Sequence, residues 1–150
     1  MEGVKMLFQE CLCFIVGKAS RNMVKIVRDK VSCYGLTPTQ FFLLIALYEE
    51  NGILITALAK KVALDKSTLT SLLDRLERDD LIQRTAHPTD RRIIQIYLTP
   101  KAEAMREDLI RIYHETNGLF LSRLAPEELK IFEEILGKFE RVEMDGKDEV

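Results

Sequence analysis

The stretch 64–99, LDKSTLTSLLDRLERDDLIQRTAHPTDRRIIQIYLT, constrains the fold of this chain more than any other. Leu69, Leu72, Leu73 and Leu76 recur at i, i+3, i+4 and i+7, the spacing of one buried helical stripe. Asp65 stands where such a helix takes its N-cap. The opposite face carries Lys66, Ser67, Thr68, Thr70, Ser71, Arg75 and Arg78. Beyond it, residues 81–85 and 93–98 predict two paired strands, the second alternating Ile94, Ile96 and Leu98 with Ile93, Gln95 and Tyr97. The tip between them reads His87-Pro88-Thr89-Asp90-Arg91-Arg92. Short hydroxyls at a helix start, with arginines further along, suit a helix lying in a DNA major groove. Hydroxyls bond phosphates or base edges, and arginine reads guanine with two hydrogen bonds. A cationic ribbon tip suits the neighbouring minor groove. The candidate DNA-binding residues are therefore Lys66, Ser67, Thr68, Thr70, Ser71 and Arg75 on the helix, with Arg91 and Arg92 at the tip.

The flanking sequence predicts helices. Residues 6–32 place Leu12, Ile15, Val16, Ala19, Met23, Ile26, Val27 and Val31 at helical spacing, and Gly35 stops the run. Thr37 and Pro38 supply an N-cap and a first-turn proline for a helix over 39–50. That helix is apolar almost throughout, Phe41 and Phe42 included, which predicts central core. Asn51-Gly52 ends it in a turn. Thr56 is the expected cap of a short helix with Leu58, Ala59 and Val62 inward; with the helix after it this makes a helix-turn-helix. Thr99 and Pro100 start a long helix expected to run unbroken to about residue 124. Ala125-Pro126 breaks it, and a last helix over 127–142 is expected to bury Leu129, Phe132, Ile135, Leu136 and Phe139. The tail 143–150 is charged and expected to fray.

A chain of 150 residues, 47% hydrophobic and 31% charged, is long and apolar enough for one folded domain. The net charge of −2 is not that of a general polyanion binder, but its distribution is uneven. Residues 53–98 hold eight Lys/Arg against six Asp/Glu, and residues 126–150 hold four against nine. The basic excess lies in the proposed DNA-binding part. Cys11, Cys13 and Cys33 include no C-x-x-C pair, which argues against a disulfide framework or a zinc site. The two histidines, His87 and His114, lie far apart without neighbouring ligands, so no metal is expected. No nucleophile–base set or phosphate loop is visible; neither an enzyme nor a cofactor is expected. No secretory signal or bilayer-length apolar stretch is evident, and a cytoplasmic protein without a membrane is the expectation.

The series Ser67-Thr68-x-Thr70, Asp74-Arg75-Leu76-Glu77, Leu81-Ile82-x-Arg84, Asp90-Arg91-Arg92 and Leu98-Thr99 resembles the MarR family of winged-helix regulators. The resemblance implies a mainly α (α+β) fold: a winged helix-turn-helix lobe over about 37–99, with helices over about 6–34 and 100–144 forming a dimerisation region of the same single domain, 1–150. It implies a homodimer on a pseudo-palindromic double-stranded operator, repressing transcription until a small-molecule effector releases it. It also implies Arg92 in the minor groove, with Asp90 and Arg91 shaping the wing or meeting phosphate. Exposed apolar stripes on the terminal helices independently favour a second copy, which would present two recognition helices to successive major grooves.

Two departures stand out. Asp80 replaces the glycine usual before the Leu-Ile-x-Arg strand, and aspartate tolerates a left-handed backbone better than most residues. Ala102 replaces a glycine after Leu-Thr. Asp74 and Glu77 are expected to pair with Arg78 or other cations at helical spacing. Leu12-Cys13-Phe14 resembles a segment of the peroxide-sensing branch of the family, so thiol-based sensing through Cys13 is an alternative. The tyrosine that branch places one turn later is Gly17 here. Cys11 and Cys33 are read as packing residues. A winged-helix module that mainly binds protein partners is the further alternative.

Overall fold

A computed structural model describes residues 7–141, which form two compact units, one ending at Tyr113 and the other beginning at His114. The first opens with a short 3-10 turn, Phe8–Glu10, and α1, Leu12–Val31. A second 3-10 turn, Ser32–Tyr34, ends at Gly35, whose φ of 70° suits glycine. Next come α2 (Pro38–Glu49), β1 (Ile53–Leu54), α3 (Ile55–Lys61), α4 (Lys66–Arg78), β2 (Ile82–Ala86), β3 (Ile94–Leu98) and α5 (Pro100–Ala104). Helix α6, Arg106–Leu121, starts in the first unit and ends in the second, which also holds α7, Pro126–Glu140. The expected position 6 and the tail 142–150 lie outside the described residues.

The core of the first unit is built around α2. Thr37 Oγ1 accepts from Gln40 N, and Gln40 Oε1 accepts from Thr37 N, a reciprocal cap beside Pro38. A helix apolar on nearly every side must be covered on nearly every side. Phe41, Leu43, Leu44, Leu47 and Tyr48 are accordingly buried, together with Leu58, Leu69, Leu73, Leu76, Ile82, Ile96 and Leu109. Phe42 is the exception: it is exposed, on the side of α2 that the first unit leaves bare.

The ribbon is a three-stranded antiparallel sheet in the order β1-β3-β2, with Arg84 opposite Ile96 and Ile53 on the other side of Ile96. A two-residue strand is too short to carry an alternating pattern, so β1 is invisible in sequence. Asn51 Oδ1 accepts from Leu98 N, and Gly52 N donates to Ile96 O, which hold the 51–52 turn against β3. Gly52 has φ 82°, and a Cβ there would lie 2.8 Å from Tyr97 Cε1. Gly35 also has positive φ but open space around it. Gly52→Ala is therefore expected to cost about 1–2 kcal/mol for the left-handed backbone plus a clash, and Gly35→Ala only the first part. Urea denaturation of both variants tests the ranking.

Several expectations change. Thr56 caps nothing; α3 begins at Ile55, after Leu54, because β1 runs directly into it. The α1 stripe, by contrast, is left largely open as expected: only Val27 and Val31 are buried, while Leu12, Ile15, Val16 and Met23 are exposed. In α7 no described residue is buried, and Phe132, Ile135 and Phe139 are 47%, 41% and 44% exposed. Their helical spacing is real, but among the described residues these side chains stay exposed. Cys11 and Cys33, expected to pack, are likewise exposed, as is Cys13.

The expected long helix after Thr99 is broken at Met105. Tyr48 donates its hydroxyl to Ala102 O at 2.7 Å, in competition with the i→i−4 bond that would continue the helix. Burial lifts the Tyr48 hydroxyl to about 12, with Glu103 adding and Arg106 opposing, so it remains a donor at neutral pH. Arg106 Nη1 donates to Tyr48 O at 3.2 Å, and its guanidinium stands 4.8 Å from the Tyr48 ring centre. Among the described residues no single helix is long and apolar enough to cross a membrane.

Candidate nucleic-acid interface

The polar face of α4 begins at its cap. Asp65 accepts from Thr68 N at 2.9 Å, Thr68 Oγ1 at 2.6 Å and Ser67 Oγ at 2.7 Å. The Thr68 hydroxyl, the Thr68 N–H and the Ser67 hydroxyl all favour the ionised carboxylate, and its pKa falls well below the ordinary 3.8. An ionised carboxylate can only accept, so both hydroxyl protons point at Asp65. Thr70 Oγ1 likewise donates to Lys66 O at 2.8 Å. What these three side chains offer outward is oxygen lone pairs. Such acceptors match the amino groups of cytosine and adenine in the major groove better than they match phosphate oxygens. Lys66, Ser67, Thr68, Ser71 and Arg75 are exposed and Thr70 is half-buried; Ser67, Thr68, Ser71, Leu72 and Arg75 line a shallow groove.

Because Asp65 has a depressed folded value, its stabilisation is present above 3.8 and is lost as pH falls through the folded value. Thermal melts are expected to show wild type losing stability steeply below about pH 4, and Asp65→Asn, which keeps a cap without this titration, losing less over the same window. Parallel slopes for the two would remove Asp65 from the acid transition.

The wing tip is closed by backbone bonds from His87 N to Ile93 O and from Ile93 N to Asp90 O. Asp90 Oδ1 accepts from Arg92 N at 3.0 Å, and Thr89 bonds His87 Nδ1 through its N–H and its hydroxyl. The Arg92 side chain is 94% exposed, with its Nε 3.5 Å from Asp90. Arg91 is exposed beside it. Cys13 belongs to a different element, in the first turn of α1. The turn after it holds Gly17, where an added Cβ would meet Arg21 Nη1 at 3.1 Å.

Asp74 and Glu77 do not pair with Arg78. Both bind Arg84 on β2: Nη2 lies 2.5 Å from Asp74 Oδ1 and 2.6 Å from Glu77 Oε2, and Nε lies 3.1 Å from Glu77 Oε2. Arg84 N also donates to Glu77 Oε1. The guanidinium of Arg84 holds the Glu77 carboxyl below its usual range, and the two acids raise Arg84 in turn. Helical spacing favours partners on the same helix, and only the packing of β2 against α4 brings in a better one. Arg84 was part of the motif series, but nothing in the sequence shows where its side chain goes. The far end of α4 is braced as well: Lys101 Nζ donates to Asp79 O at 2.7 Å and Thr99 Oγ1 to Asp80 O at 2.6 Å. Asp80 has φ 58°, the left-handed turn expected of it.

Two helices joined by a short turn, followed by a sheet with a cationic hairpin, define a winged helix-turn-helix protein. The sequence profile of the MarR family matches residues 36–94. YsmB of Bacillus subtilis (strain 168), an uncharacterized HTH-type transcriptional regulator, is 33% identical over 129 residues, covering 83% of this chain and 88% of the relative. MgrA of Staphylococcus aureus, also an HTH-type transcriptional regulator, is 34% identical over 131 residues, 87% of this chain and 88% of the relative. The fold matches the S. aureus MepR–DNA complex with a TM-score of 0.76 at 26% identity, over 85% of this chain and 94% of that one. The chain belongs to the MarR family of DNA-binding transcriptional regulators.

Proposed function

We propose that this chain acts as a homodimeric repressor that seats α4 in the major groove and Arg91-Arg92 near the minor groove of a pseudo-palindromic operator, and that a small ligand releases it. The observation that carries this reading is the pairing of an exposed acceptor-and-arginine face on α4 with a wing whose Arg92 side chain is 94% exposed. MepR was solved with DNA, which supports the same use of the fold here. The uncovered apolar side chains of α1 and, separately, of α7 support a second copy. Release by a ligand is supported by an open cavity of about 450 Å³ lined by Val24, Arg28, Leu36, Thr37, Pro38 and Thr39. Val24, Leu36 and Pro38 beside the single guanidinium of Arg28 fit a small anion with an apolar body.

Selection from random duplex DNA tests the proposal. An enriched palindrome with half-sites one helical turn apart, in which Ser67→Ala or Thr68→Ala relaxes the preference at particular base pairs, supports it. No enrichment, with weak binding lost at physiological salt, transfers the reading to a protein-binding winged helix.

A second reading keeps the DNA surface and makes Cys13 the trigger, on the observation that its thiol is exposed. Organic hydroperoxide would then abolish operator binding of wild type and leave Cys13→Ser unaffected. A response that persists in Cys13→Ser removes this cysteine as the sensor.

A further inference from the structure

Helix α4 carries its own competitors for DNA. Asp74 and Glu77 are interleaved with Arg75 and Arg78 on one exposed helix. Asp74 is one turn from Arg78, the i,i+4 spacing at which an acid captures a base. Such a capture would remove a cation from the phosphate backbone and leave the field of Glu77 beside it. In the structure it does not happen. Among the described residues neither Arg75 nor Arg78 forms an ion pair, and both acids bind Arg84, which reaches over from β2 with a side chain only 26% exposed.

We propose that Arg84 is a positioning residue for DNA binding: it holds Asp74 and Glu77 off the cations of α4 and leaves Arg75 and Arg78 to the phosphates. The role rests on the DNA-binding reading above. Three features fit it. Arg84 is the one cation of β2, so the tie comes from outside the helix that benefits. Its fork engages both acids at once, and Glu77 is held a second time by the Arg84 backbone N–H. The two acids are 50% and 41% exposed, so without Arg84 they would be free to swing toward Arg78 or an approaching phosphate.

The test uses the full chain and a duplex selected by wild type, with affinity measured across a salt series. Arg84→Gln is expected to bind about tenfold or more weakly at physiological salt. Its salt slope should be shallower by about one per protomer, because one phosphate contact is lost although Arg84 makes none itself. The triple variant Arg84→Gln/Asp74→Asn/Glu77→Gln should recover both affinity and slope, because the competing carboxylates are gone. A purely architectural tie would not be rescued in this way. The role is overturned if Arg84→Gln binds as wild type does, or if the loss persists in the triple variant, which would make Arg84 itself a DNA contact or a support of the fold. Should Arg84→Gln alone not fold, the triple variant compared with Asp74→Asn/Glu77→Gln decides: equal binding supports the role and weaker binding of the triple overturns it. A wild-type chain that selects no duplex overturns the DNA-binding reading and this role with it.

Discussion

The variant Arg91→Ala/Arg92→Ala is expected to bind the operator about a hundredfold or more weakly at physiological salt, with unchanged thermal stability. Both side chains are exposed, and among the described residues the Arg92 side chain meets a neighbouring acid at 3.5 Å and no other ion-pair partner, so neither supports the fold. Each contributes a cation to one wing, and a dimer has two wings. If each of the four guanidinium groups displaces one counterion, the plot of log affinity against log salt flattens by about three to four. The wing itself should survive, because His87 N to Ile93 O and Ile93 N to Asp90 O are backbone bonds. A slope unchanged from wild type would take the wing off the DNA, whatever happened to affinity.

The second large effect is expected on α7. Phe132→Glu/Ile135→Glu places two carboxylates on a face of α7 whose apolar side chains are exposed among the described residues. In a dimer that face would be covered, and two buried charges per protomer would be intolerable without partners. The expected result is a monomer by sedimentation. It should retain the selectivity of one half-site and lose about 10²–10⁴ in affinity for the full palindrome, because the second half-site no longer binds as an intramolecular event. A variant that sediments as a dimer shows that α7 does not hold the two copies together.

Helix α4, its Asp65 cap, strands β2 and β3 and the left-handed turn at Asp80 were legible because each depends on local spacing or on one residue's backbone preference. The failures share a different cause. Strand β1 exists only through its pairing with Ile96 and Gln95, forty residues away in sequence. The break at Met105 depends on a tyrosine hydroxyl from another helix. The partners of Asp74 and Glu77 come from a strand whose packing no periodicity encodes. On α7 the spacing of Phe132, Ile135 and Phe139 correctly marks one apolar face, but spacing does not say which surface covers it. The donor direction of the Ser67 and Thr68 hydroxyls was likewise out of reach until Asp65 was seen to hold their protons.

The junction at Met105 has a mechanical consequence. Tyr48 grips both sides of it, through its hydroxyl on Ala102 and its carbonyl on Arg106. Three residues before Ala102, Thr99 caps α5, and Thr99 and Lys101 hold the carbonyls just past the end of α4. The junction is therefore a braced elbow whose angle is set by one aromatic side chain. Through these hydrogen bonds the first turn of α6 is linked to the trailing end of α4. Tyr48→Phe, which removes the hydroxyl bond to Ala102, is expected to loosen that link while leaving the exposed side chains of α4 untouched.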